Sequence, residues 1–502
     1  MATQSLILTI DQGTSSTKCL LVNSAGEVVA RGGAPVSEQH PRPGWVDQDA
    51  REIADSVRRA VVACLQGQNP RAVAGIGISN QRESLVAWDA RTGEPLAPLV
   101  SWQDQRTTAT CDALRTPNTE QLVGERSGLP LDPMFSAAKA RWLLDALDPD
   151  RARARAGAIR LGTVDSWLLA QFGGEHLIEA GNASRTQLLD VRRVAWDDDL
   201  LGLFGVPRQT LPRVVPSIGP FPHVRGLPPL VDGTPILAVM ADSHSSLFAH
   251  GGFQPGTVKA TFGTGSSIMG LVPEPGSLAN GLCLTIAWSL GVPAFAAEGN
   301  ILATGATLRW MADVLGLSTD GLAELAEEAS SEGVTVVPAF NGLGAPWWDR
   351  EAVGLITGCT LGTHRGTLAR AALESIVHQV ADMVEAVDRS VGRVHEVYAD
   401  GGSTRNAVLM QLQADVLGRP VLASRTAELS ALGVAHLAGT RTGFWSQESL
   451  ERLFRDRRRF EAAMTDEERM RLRRQWFSAV ERARGHALRR EGNPSPVGRH
   501  NP

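Results

Sequence analysis

The chain lacks the usual marks of a secreted or membrane protein. Its 502 residues include only five cysteines, and none of them forms a C-x-x-C pair. Such scattered thiols give neither a disulfide framework nor a zinc spacing, and they fit a reducing compartment. No apolar run approaches the roughly 20 residues of a membrane-spanning helix, and the first run, 5–10, is too short for a signal-peptide core. We therefore expect a cytoplasmic protein that does not bind a membrane.

An excess of charge of one sign is also absent. Lys and Arg total 49 against 54 Asp and Glu, which gives a net charge of −5 and no reason to expect binding to nucleic acid. A hydrophobic fraction of 43% and a charged fraction of 21% are ordinary for a globular protein. The length is sufficient for two substantial domains.

Two short segments, far apart in the chain, resemble each other. Each follows an apolar run, consists of small residues and leads into a second apolar run. The first is Asp11-Gln12-Gly13-Thr14-Ser15-Ser16, and the second is Gly263-Thr264-Gly265-Ser266-Ser267. A strand–turn–strand of this kind exposes backbone N–H groups and hydroxyls, and glycine lets an anion approach closely. The pair predicts a nucleoside triphosphate held between two related halves.

Strand and helix patterns alternate along the chain, which indicates an α/β protein. A strand pair at the start of each half predicts mixed rather than purely parallel sheets. We further predict a capping box at Asp49–Glu52, a strand pair of 85–88 with 99–102, a long helix over 366–389 and a helical pair over 446–490. Residues 491–502 are predicted to be a disordered tail.

The predicted domains follow from these patterns. An N-terminal domain over 1–245 contains the first turn, and a C-terminal domain over 246–445 contains the second. Residues 446–502 form a helical extension and tail. The segment 205–235, rich in proline and glycine, is predicted to be an irregular connection near the boundary.

Asp242 is the strongest candidate for catalysis. It follows a predicted buried strand and lies shortly before the second turn. Phosphorylation of a hydroxyl needs a base to accept its proton, and a carboxylate suits that role. The alternative is that Asp242 is only a helix N-cap.

Asp11 and Lys18 flank the first turn. A carboxylate beside phosphate is reasonable if Mg²⁺ and its waters lie between them, and Lys18 is suited to contact a terminal phosphate. The alternative is a turn aspartate and an exposed lysine.

Three further residues suit a ligand with several hydroxyls. Arg82 and Glu83 offer a donor fork beside an acceptor, and Trp102 offers a face for stacking. A surface ion pair and a core tryptophan are the alternatives. Gly401 and Gly402, before a predicted helix, would let the backbone approach a ligand, although a tight turn explains them equally well.

Taken in order, these residues resemble the FGGY carbohydrate kinases and, within that family, the glycerol kinases. The resemblance runs from Leu6 to about Trp445. It is carried by Asp11–Thr14, Pro43–Val46, Asn80–Glu83, Gly162–Trp167, Asn182–Thr186, Phe262–Gly265, Val337–Phe340, Gly342–Pro346, Leu373–Ser375 and Asp400–Gly402.

The resemblance implies an actin-like ATPase fold, with two RNase H-like domains, ATP and Mg²⁺ in the cleft and helices at the C-terminus. It implies that Asp242 is the general base and that Asp11 holds the metal through water. The implied ATP-binding residues are Thr14, Ser15, Ser16, Lys18, Thr264, Gly305, Arg309, Gly402 and Asn406. The implied substrate-binding residues are Arg82, Glu83, Trp102, Met134, Asp242, Ser243 and Ser267.

Departures from the glycerol kinase pattern lie mainly in the substrate pocket. Met134 replaces a tyrosine, Ser243 a glutamine and Ser267 a phenylalanine, while Arg309 replaces a glutamine among the ATP-binding residues. Because polar groups dominate discrimination in such sites, these changes predict a small polyol or ketose larger than glycerol. The alternatives are a true glycerol kinase and an actin-like ATP-binding scaffold without phosphoryl transfer. A homodimer and a homotetramer both remain open.

Overall fold

The structure is a computed structural model that describes residues 5–276, 278 and 281–485. The predicted tail at 491–502 lies outside the described residues. Within these ranges, no helix is both long and apolar enough to cross a membrane.

The first half of the chain is organised around a five-stranded sheet. Its strands are β1 (Leu6–Gln12), β2 (Ser16–Asn23), β3 (Val28–Pro35), β4 (Val73–Asn80) and β5 (Ile236–Ala241), in the order β5-β4-β1-β2-β3. The first three strands are antiparallel, and β4 and β5 run parallel to β1. Helix α1 (Ala50–Leu65) packs on this sheet through Ile53, Val57 and Val61, which are fully buried.

A seven-stranded sheet forms the second half and repeats this arrangement. Its strands are β6 (Thr257–Phe262), β7 (Ser266–Val272), β8 (Cys283–Ser289), β9 (Pro293–Ile301), β10 (Glu396–Asp400), β11 (Val421–Ser424) and β12 (Arg457–Phe460). They lie in the order β8-β9-β7-β6-β10-β11-β12. As β1 does in the first sheet, β6 pairs with an antiparallel hairpin partner on one side and with a parallel strand on the other. The predicted mixed sheets and repeated strand–turn–strand are confirmed.

Six further helices pack around the sheets. They are α2 (Asp242–Ala249), α3 (Gly305–Leu315), α4 (Arg365–Val391), α5 (Ala407–Leu417), α6 (Leu429–Thr442) and α7 (Asp466–Gly485). The predicted long helix over 366–389 corresponds to α4. Helix α6 comes from the second half of the chain but packs on the first sheet. It also crosses α2 closely and needs glycine there, because a Cβ at Gly433 would lie 1.8 Å from the carbonyl oxygen of Ser245 on α2.

Further helices, turns and short strand pairs complete the fold. The helices are Thr108–Leu114, Pro117–Ser127, Ser136–Leu147, Ala152–Arg155, Val164–Gly173, Ala180–Ser184, Asp198–Phe204, Thr319–Glu327 and Gln447–Glu451. The 3₁₀ turns are Pro70–Ala72, Arg208–Thr210 and Gly402–Arg405. The short strand pairs are Asp47–Gln48 with Leu99–Val100, Val86–Asp89 with Ile159–Gly162, Leu177–Glu179 with Arg213–Val215, Leu189–Asp190 with Ala195–Trp196, and Thr335–Val337 with Leu355–Thr357.

The edge strand β8 joins the second sheet to the first half of the chain. Its backbone N–H groups at Leu284, Ile286 and Ser289 donate to first-half oxygens at 2.8, 3.1 and 2.8 Å. The acceptors are the carbonyl oxygen of Gly128 and the hydroxyls of Ser184 and Ser217. The free edge of the sheet is thus covered by polar partners from the other half.

The predicted pairing of 85–88 with 99–102 is confirmed only at Leu85 and Val100. Val86–Asp89 pairs instead with Ile159–Gly162, and Leu99–Val100 pairs with Asp47–Gln48. A single bridge between Leu85 and Val100 is all that joins the two segments. Strand-forming residues specify a pleated, half-buried surface but not its partner, so proximity in sequence gave the wrong neighbour.

Two predictions about helix ends and the C-terminus are also wrong. The Asp49 side chain accepts from the Arg51 N–H, but Glu52 does not reach back and instead accepts from Ser37. The region 446–490 is not a helical pair, because Arg457–Phe460 forms strand β12 between its helices. The boundary predicted between 245 and 246 falls within α2, and the division into domains stays a prediction.

Helix α7 is attached to the second half through a buried polar contact. The Trp476 Nε1–H and the Arg473 Nη2–H donate to the two carboxylate oxygens of Asp382, on α4, at 2.8 and 2.6 Å. The indole stacks on His378 with ring centroids 5.3 Å apart. Trp476 therefore combines apolar burial with a hydrogen bond to a carboxylate.

We expect Trp476→Ala to lower the free energy of unfolding of the C-terminal half by about 3–5 kcal/mol, since it removes a fully buried aromatic side chain. Urea unfolding followed by circular dichroism, with limited proteolysis of α7, measures the effect. The exposed neighbour Arg474→Ala is the matched control and should unfold like the wild type. Equal stability of the two variants would contradict this account of α7.

Candidate active site

The first small-residue turn connects β1 and β2. The Gly13 N–H donates to the Ser16 carbonyl at 3.0 Å and closes the turn. The Thr14 hydroxyl accepts from Trp102 Nε1–H at 3.1 Å, which links the turn to a predicted substrate residue. Ser15 and Lys18 are exposed, and Lys18 lies opposite Asp11 in the strand register.

The second turn connects β6 and β7 and supports the start of α3. The N–H groups of Gly305 and Ala306 donate to the carbonyls of Gly263 and Thr264 at 3.0 and 3.1 Å. Position 305 requires glycine, because a Cβ there would lie 2.6 Å from the Gly263 oxygen. Arg309 Nη2–H reaches the Thr264 hydroxyl at 3.4 Å. The structure therefore brings together Thr264, Gly305 and Arg309.

A third turn follows β10, next to β6. Gly401 has φ +94° and passes so close to Phe262 that a Cβ would lie 2.3 Å from its carbonyl oxygen. Gly402 faces open space, with no atom within 4 Å of where its Cβ would be. The Asn406 side chain accepts from the Leu409 N–H at 3.0 Å and caps α5. The structure therefore contains both the tight turn, at Gly401, and a stretch of backbone open to a ligand, at Gly402.

Asp242 is the first residue of α2, directly after β5. The helix N-cap is Ala241, so the alternative that Asp242 is the N-cap is wrong. Its Oδ1 accepts from the Ser243 N–H at 2.6 Å and lies 3.3 Å from Arg82 Nε. The side chain remains 37% exposed and is open to the cleft.

Burial in the cleft raises the pKa of both aspartates. Burial raises the pKa of Asp242 above its ordinary value, and the Arg82 guanidinium opposes that shift. Burial, followed by repulsion from Asp242, raises the pKa of Asp11 to about 6. The two carboxylates therefore lie close enough to influence each other's protonation.

Four buried charges form what we term the charge ring: Arg82, Glu83, Arg185 and Glu298. Arg82 Nη1–H donates to Glu298 Oε1, Arg185 Nη1 lies 3.1 Å from Glu298 Oε2, and Arg185 Nε–H donates to Glu83 Oε1 at 2.7 Å. The ring closes where Arg82 Nε lies 4.0 Å from Glu83 Oε1. Burial alone would raise the pKa of Glu298, but Arg185 and Arg82 lower it to about 2. Signs alternate around the ring, so each charge has opposite neighbours.

The charge ring connects the two halves of the chain. Glu298 belongs to β9, whereas Arg82 and Glu83 follow β4. Both Arg82 and Glu83 are buried, so the alternative of a surface ion pair is wrong. The orientation of Arg82 toward Asp242 is therefore fixed by a carboxylate from the other sheet.

A chain of hydrogen bonds extends from the ring to a buried lysine. Lys259 Nζ donates to the Ser243 hydroxyl at 2.9 Å, which donates to the Ser267 hydroxyl at 2.9 Å. Ser267 in turn approaches Glu298 Oε1 at 3.4 Å. Burial lowers the pKa of Lys259 from its ordinary value. Ser243 and Ser267 thus contact each other in this pocket.

The side of the pocket next to these hydrogen-bonded residues is apolar. Met134 belongs to a small buried cluster with Leu129, Phe135 and Cys283, against which Trp102 and Trp348 pack. Trp102 is only half-buried.

His244 is fully buried, and its Nε2 lies 3.4 Å from the Thr285 hydroxyl.

Four residues of the site are not among those predicted from the sequence: Glu298, Arg185, Lys259 and Asn300. Glu298 is the single acid in the strand Pro293–Ile301, and Lys259 is one of only three lysines in the chain and lies within an apolar strand. A lone charge in a buried strand rarely occurs without a partner, and this signal would have identified both residues. Arg185 lies in the segment Asn182–Thr186 that carries the resemblance, whereas Asn300 has no signal of either kind.

The paired sheets and the cleft between them define the class: two RNase H-like domains in an actin-like arrangement. Residues 6–249 match the model of the FGGY family of carbohydrate kinases, N-terminal domain, and 258–441 match that of the C-terminal domain. The chain therefore belongs to the FGGY family and is a carbohydrate kinase, which confirms the resemblance.

Two relatives cover almost the whole chain. An apulose kinase of Pectobacterium atrosepticum is 43% identical over 487 residues, which are 95% of this chain and 98% of that protein. A glycerol kinase of Aromatoleum aromaticum is 42% identical over 498 residues, which are 96% of this chain and 99% of that protein.

Solved structures share the fold. Plasmodium falciparum glycerol kinase with ADP superposes with a TM-score of 0.89 at 27% identity and covers 96% of this chain and 98% of its own. A ligand-bound xylulose kinase of Lactobacillus acidophilus gives a TM-score of 0.86 over the same shares of the two chains, at 18% identity.

We expect Glu298→Gln to lower both the melting temperature and kcat/KM for the acceptor. Two buried guanidiniums would then share one carboxylate, and breaking a buried pair typically costs about 3–5 kcal/mol. Thermal unfolding and steady-state kinetics measure the two effects, and calorimetry should show unchanged nucleotide affinity. Glu274→Gln, on an exposed loop, is the control. If Glu298→Gln matched that control in both measurements, the charge ring would not support the site.

Proposed function

We propose that this enzyme transfers the γ-phosphoryl group of ATP to a hydroxyl of a small polyol or ketose, with Asp242 as the general base. The observation that carries the proposal is the Asp242 carboxylate, open to the cleft and 3.3 Å from Arg82 Nε. The ADP of the Plasmodium falciparum structure and the names of the two relatives support it.

The three turns fit a nucleotide. Thr14, Ser15 and Ser16 with Lys18 would hold one side of the phosphates, and Thr264 the other. The open space in front of Gly402 would admit the nucleotide, with Gly305, Arg309 and Asn406 nearby. Arg309 is already directed at the Thr264 hydroxyl, so it would contribute a charge beside the second turn.

Asp11 fits a divalent cation held through water. Its pKa is raised to about 6 by burial and by Asp242, and a cation near the two carboxylates would offset that repulsion. No cluster of three or more His, Cys, Asp or Glu side chains able to hold a metal occurs in the described part of the chain. Mg²⁺ commonly retains waters and takes phosphate oxygens, so one protein carboxylate is sufficient. When bound, Mg²⁺ would neutralise charge on the phosphates.

The protein side chains then have distinct roles. Arg82 and Glu83 would hold neighbouring hydroxyls of the acceptor, because the charge ring fixes both in place. Asp242 would accept the proton of the attacking hydroxyl. Trp102 would cover the carbon face, and closure of the cleft would exclude water that would otherwise hydrolyse ATP.

We propose an acceptor larger than glycerol, because the small side chains of Ser243 and Ser267 enlarge the pocket and carry hydroxyls. We term the side of the pocket formed by Ser243, Ser267 and Met134 the far wall. A true glycerol kinase is the second candidate, favoured by the 42% identity to the Aromatoleum aromaticum enzyme. A non-catalytic scaffold would have no use for four buried charges beside an open carboxylate. A cytoplasmic location and a homodimer or homotetramer remain predictions.

We expect Asp242→Asn to abolish phosphorylation while nucleotide still binds, because the amide cannot accept the proton. A coupled ADP-release assay across glycerol, tetritols, tetruloses, pentitols and pentuloses measures turnover, and calorimetry measures binding of ADP. Asp55→Asn, on the exposed face of α1, is the control. Near-normal turnover by Asp242→Asn would remove the base from this mechanism, and glycerol as the preferred wild-type acceptor by a wide margin would favour the second candidate.

We expect the acidic limb of the kcat/KM profile to move to higher pH in Arg82→Gln. The base acts only when deprotonated, and the Arg82 guanidinium lowers the pKa of Asp242. Removing that guanidinium raises the pKa further, so activity is lost at a higher pH as the medium is acidified. The position of the limb is read independently of the lower overall rate, with Arg91→Gln as an exposed control. A limb that stays in place or moves to lower pH would contradict the assignment.

A further inference from the structure

One polar side chain on the far wall of the pocket has no strong partner. Asn300 Nδ2–H points at the Met134 sulfur at 3.6 Å, and a thioether is a weak acceptor. Asn300 makes no other side-chain hydrogen bond among the described residues, and it is half-buried. An amide that is partly desolvated without full hydrogen bonding is costly, and a ligand atom would relieve that cost.

The position of Asn300 follows from the strand register. Ser267 on β7 lies directly opposite Asn300 on β9. Glu298 lies two residues before Asn300 and therefore on the same face of the sheet. Because Glu298 contacts Arg82 and Ser267 contacts Ser243, that face is the one that looks onto the acceptor pocket.

We propose that Asn300 binds the carbonyl oxygen of a ketose with four or five carbons, in a distal subsite that Ser267 borders. This inference rests on the proposed function, because Asp242 marks where the reacting hydroxyl lies. From Asp242, the neighbouring Ser243, then Ser267 and then Asn300 follow one another along the wall. An acceptor that reaches from the first to the last needs more than the three carbons of glycerol.

An α-hydroxy ketone fits both ends of the Asn300 amide. Its ketone oxygen only accepts hydrogen bonds and suits the Nδ2 group, of whose two hydrogens the Met134 sulfur takes one weakly. The hydroxyl next to the ketone can donate to Oδ1, which has no side-chain partner among the described residues. The Ser267 hydroxyl already accepts from Ser243 and faces Glu298, so Asn300 is the donor left for the ligand. Trp102 and Trp348, packed around Met134, provide faces for the carbon chain.

The decisive variant is Asn300→Leu, which keeps the shape of the side chain and removes its amide. The acceptors are L-erythrulose, D-xylulose and D-ribulose as ketoses, against glycerol and D-arabitol without a carbonyl. We expect kcat/KM for at least one ketose to fall about 10- to 100-fold, as when one partner of a neutral hydrogen bond is removed. For glycerol and D-arabitol it should change less than about threefold, with KM for ATP unchanged.

A second variant keeps the test independent of folding effects at position 300. Ser267→Phe fills the space in front of Asn300 and should likewise lower kcat/KM for the ketoses more than for glycerol. Melting temperatures within a few degrees of the wild type confirm that each variant is folded. Equal losses for all acceptors, or no loss for ketoses in Asn300→Leu, would overturn the subsite.

The outcomes also separate this inference from the proposed function. Wild-type turnover of glycerol or D-arabitol without turnover of any ketose overturns the subsite and leaves the kinase assignment standing. ATP consumption without a phosphorylated product from any acceptor overturns the proposed function and the subsite together. Selective loss of ketose turnover supports both.

Discussion

The site depends on the alternation of charge around the charge ring. Two guanidiniums and two carboxylates are buried together, which is tolerable only because each charge has a neighbour of opposite sign. Arg82 and Glu298 are 216 positions apart in the chain, so the ring can form only when both sheets are folded and correctly placed. The acceptor pocket is for this reason a product of the whole fold rather than of one segment.

The two sides of the cleft differ in whether backbone or side chains form them. The nucleotide side consists mainly of backbone in tight turns, where glycine at 305 and 401 is required by contacts of 2.6 and 2.3 Å. The acceptor side consists of side chains that bond to one another, from Lys259 through Ser243 and Ser267 to Glu298. Backbone turns constrain substitution severely, whereas a side-chain wall can change one residue at a time. This difference explains how a family can keep one reaction and vary its acceptor.

Local patterns predicted much of the fold. The paired turns, the mixed sheets and the 27-residue helix α4 follow from apolar periodicity and small-residue turns, which act over a few residues. The partner of Val86–Asp89 and the strand inside 446–490 depend on contacts between distant segments, which periodicity does not encode. In the site, Asp242 and Arg82 were predictable from motifs, but the contact between Arg82 and Glu298 was not. Asn300 escaped notice because its environment, and not its sequence context, makes it unusual.

The position of the edge strand β8 bears on how far different parts of the second sheet move relative to the first half. Its three hydrogen bonds to the first half, at Leu284, Ile286 and Ser289, all lie along this one strand, which therefore marks an axis of contact between the halves. Strands are spaced about 4.8 Å apart, so Glu298 on the adjacent strand lies one step from this axis. Gly402, after the fourth strand beyond β8, lies roughly four times as far away. A rotation of the second sheet about β8 would therefore displace Gly402 about four times as far as Glu298.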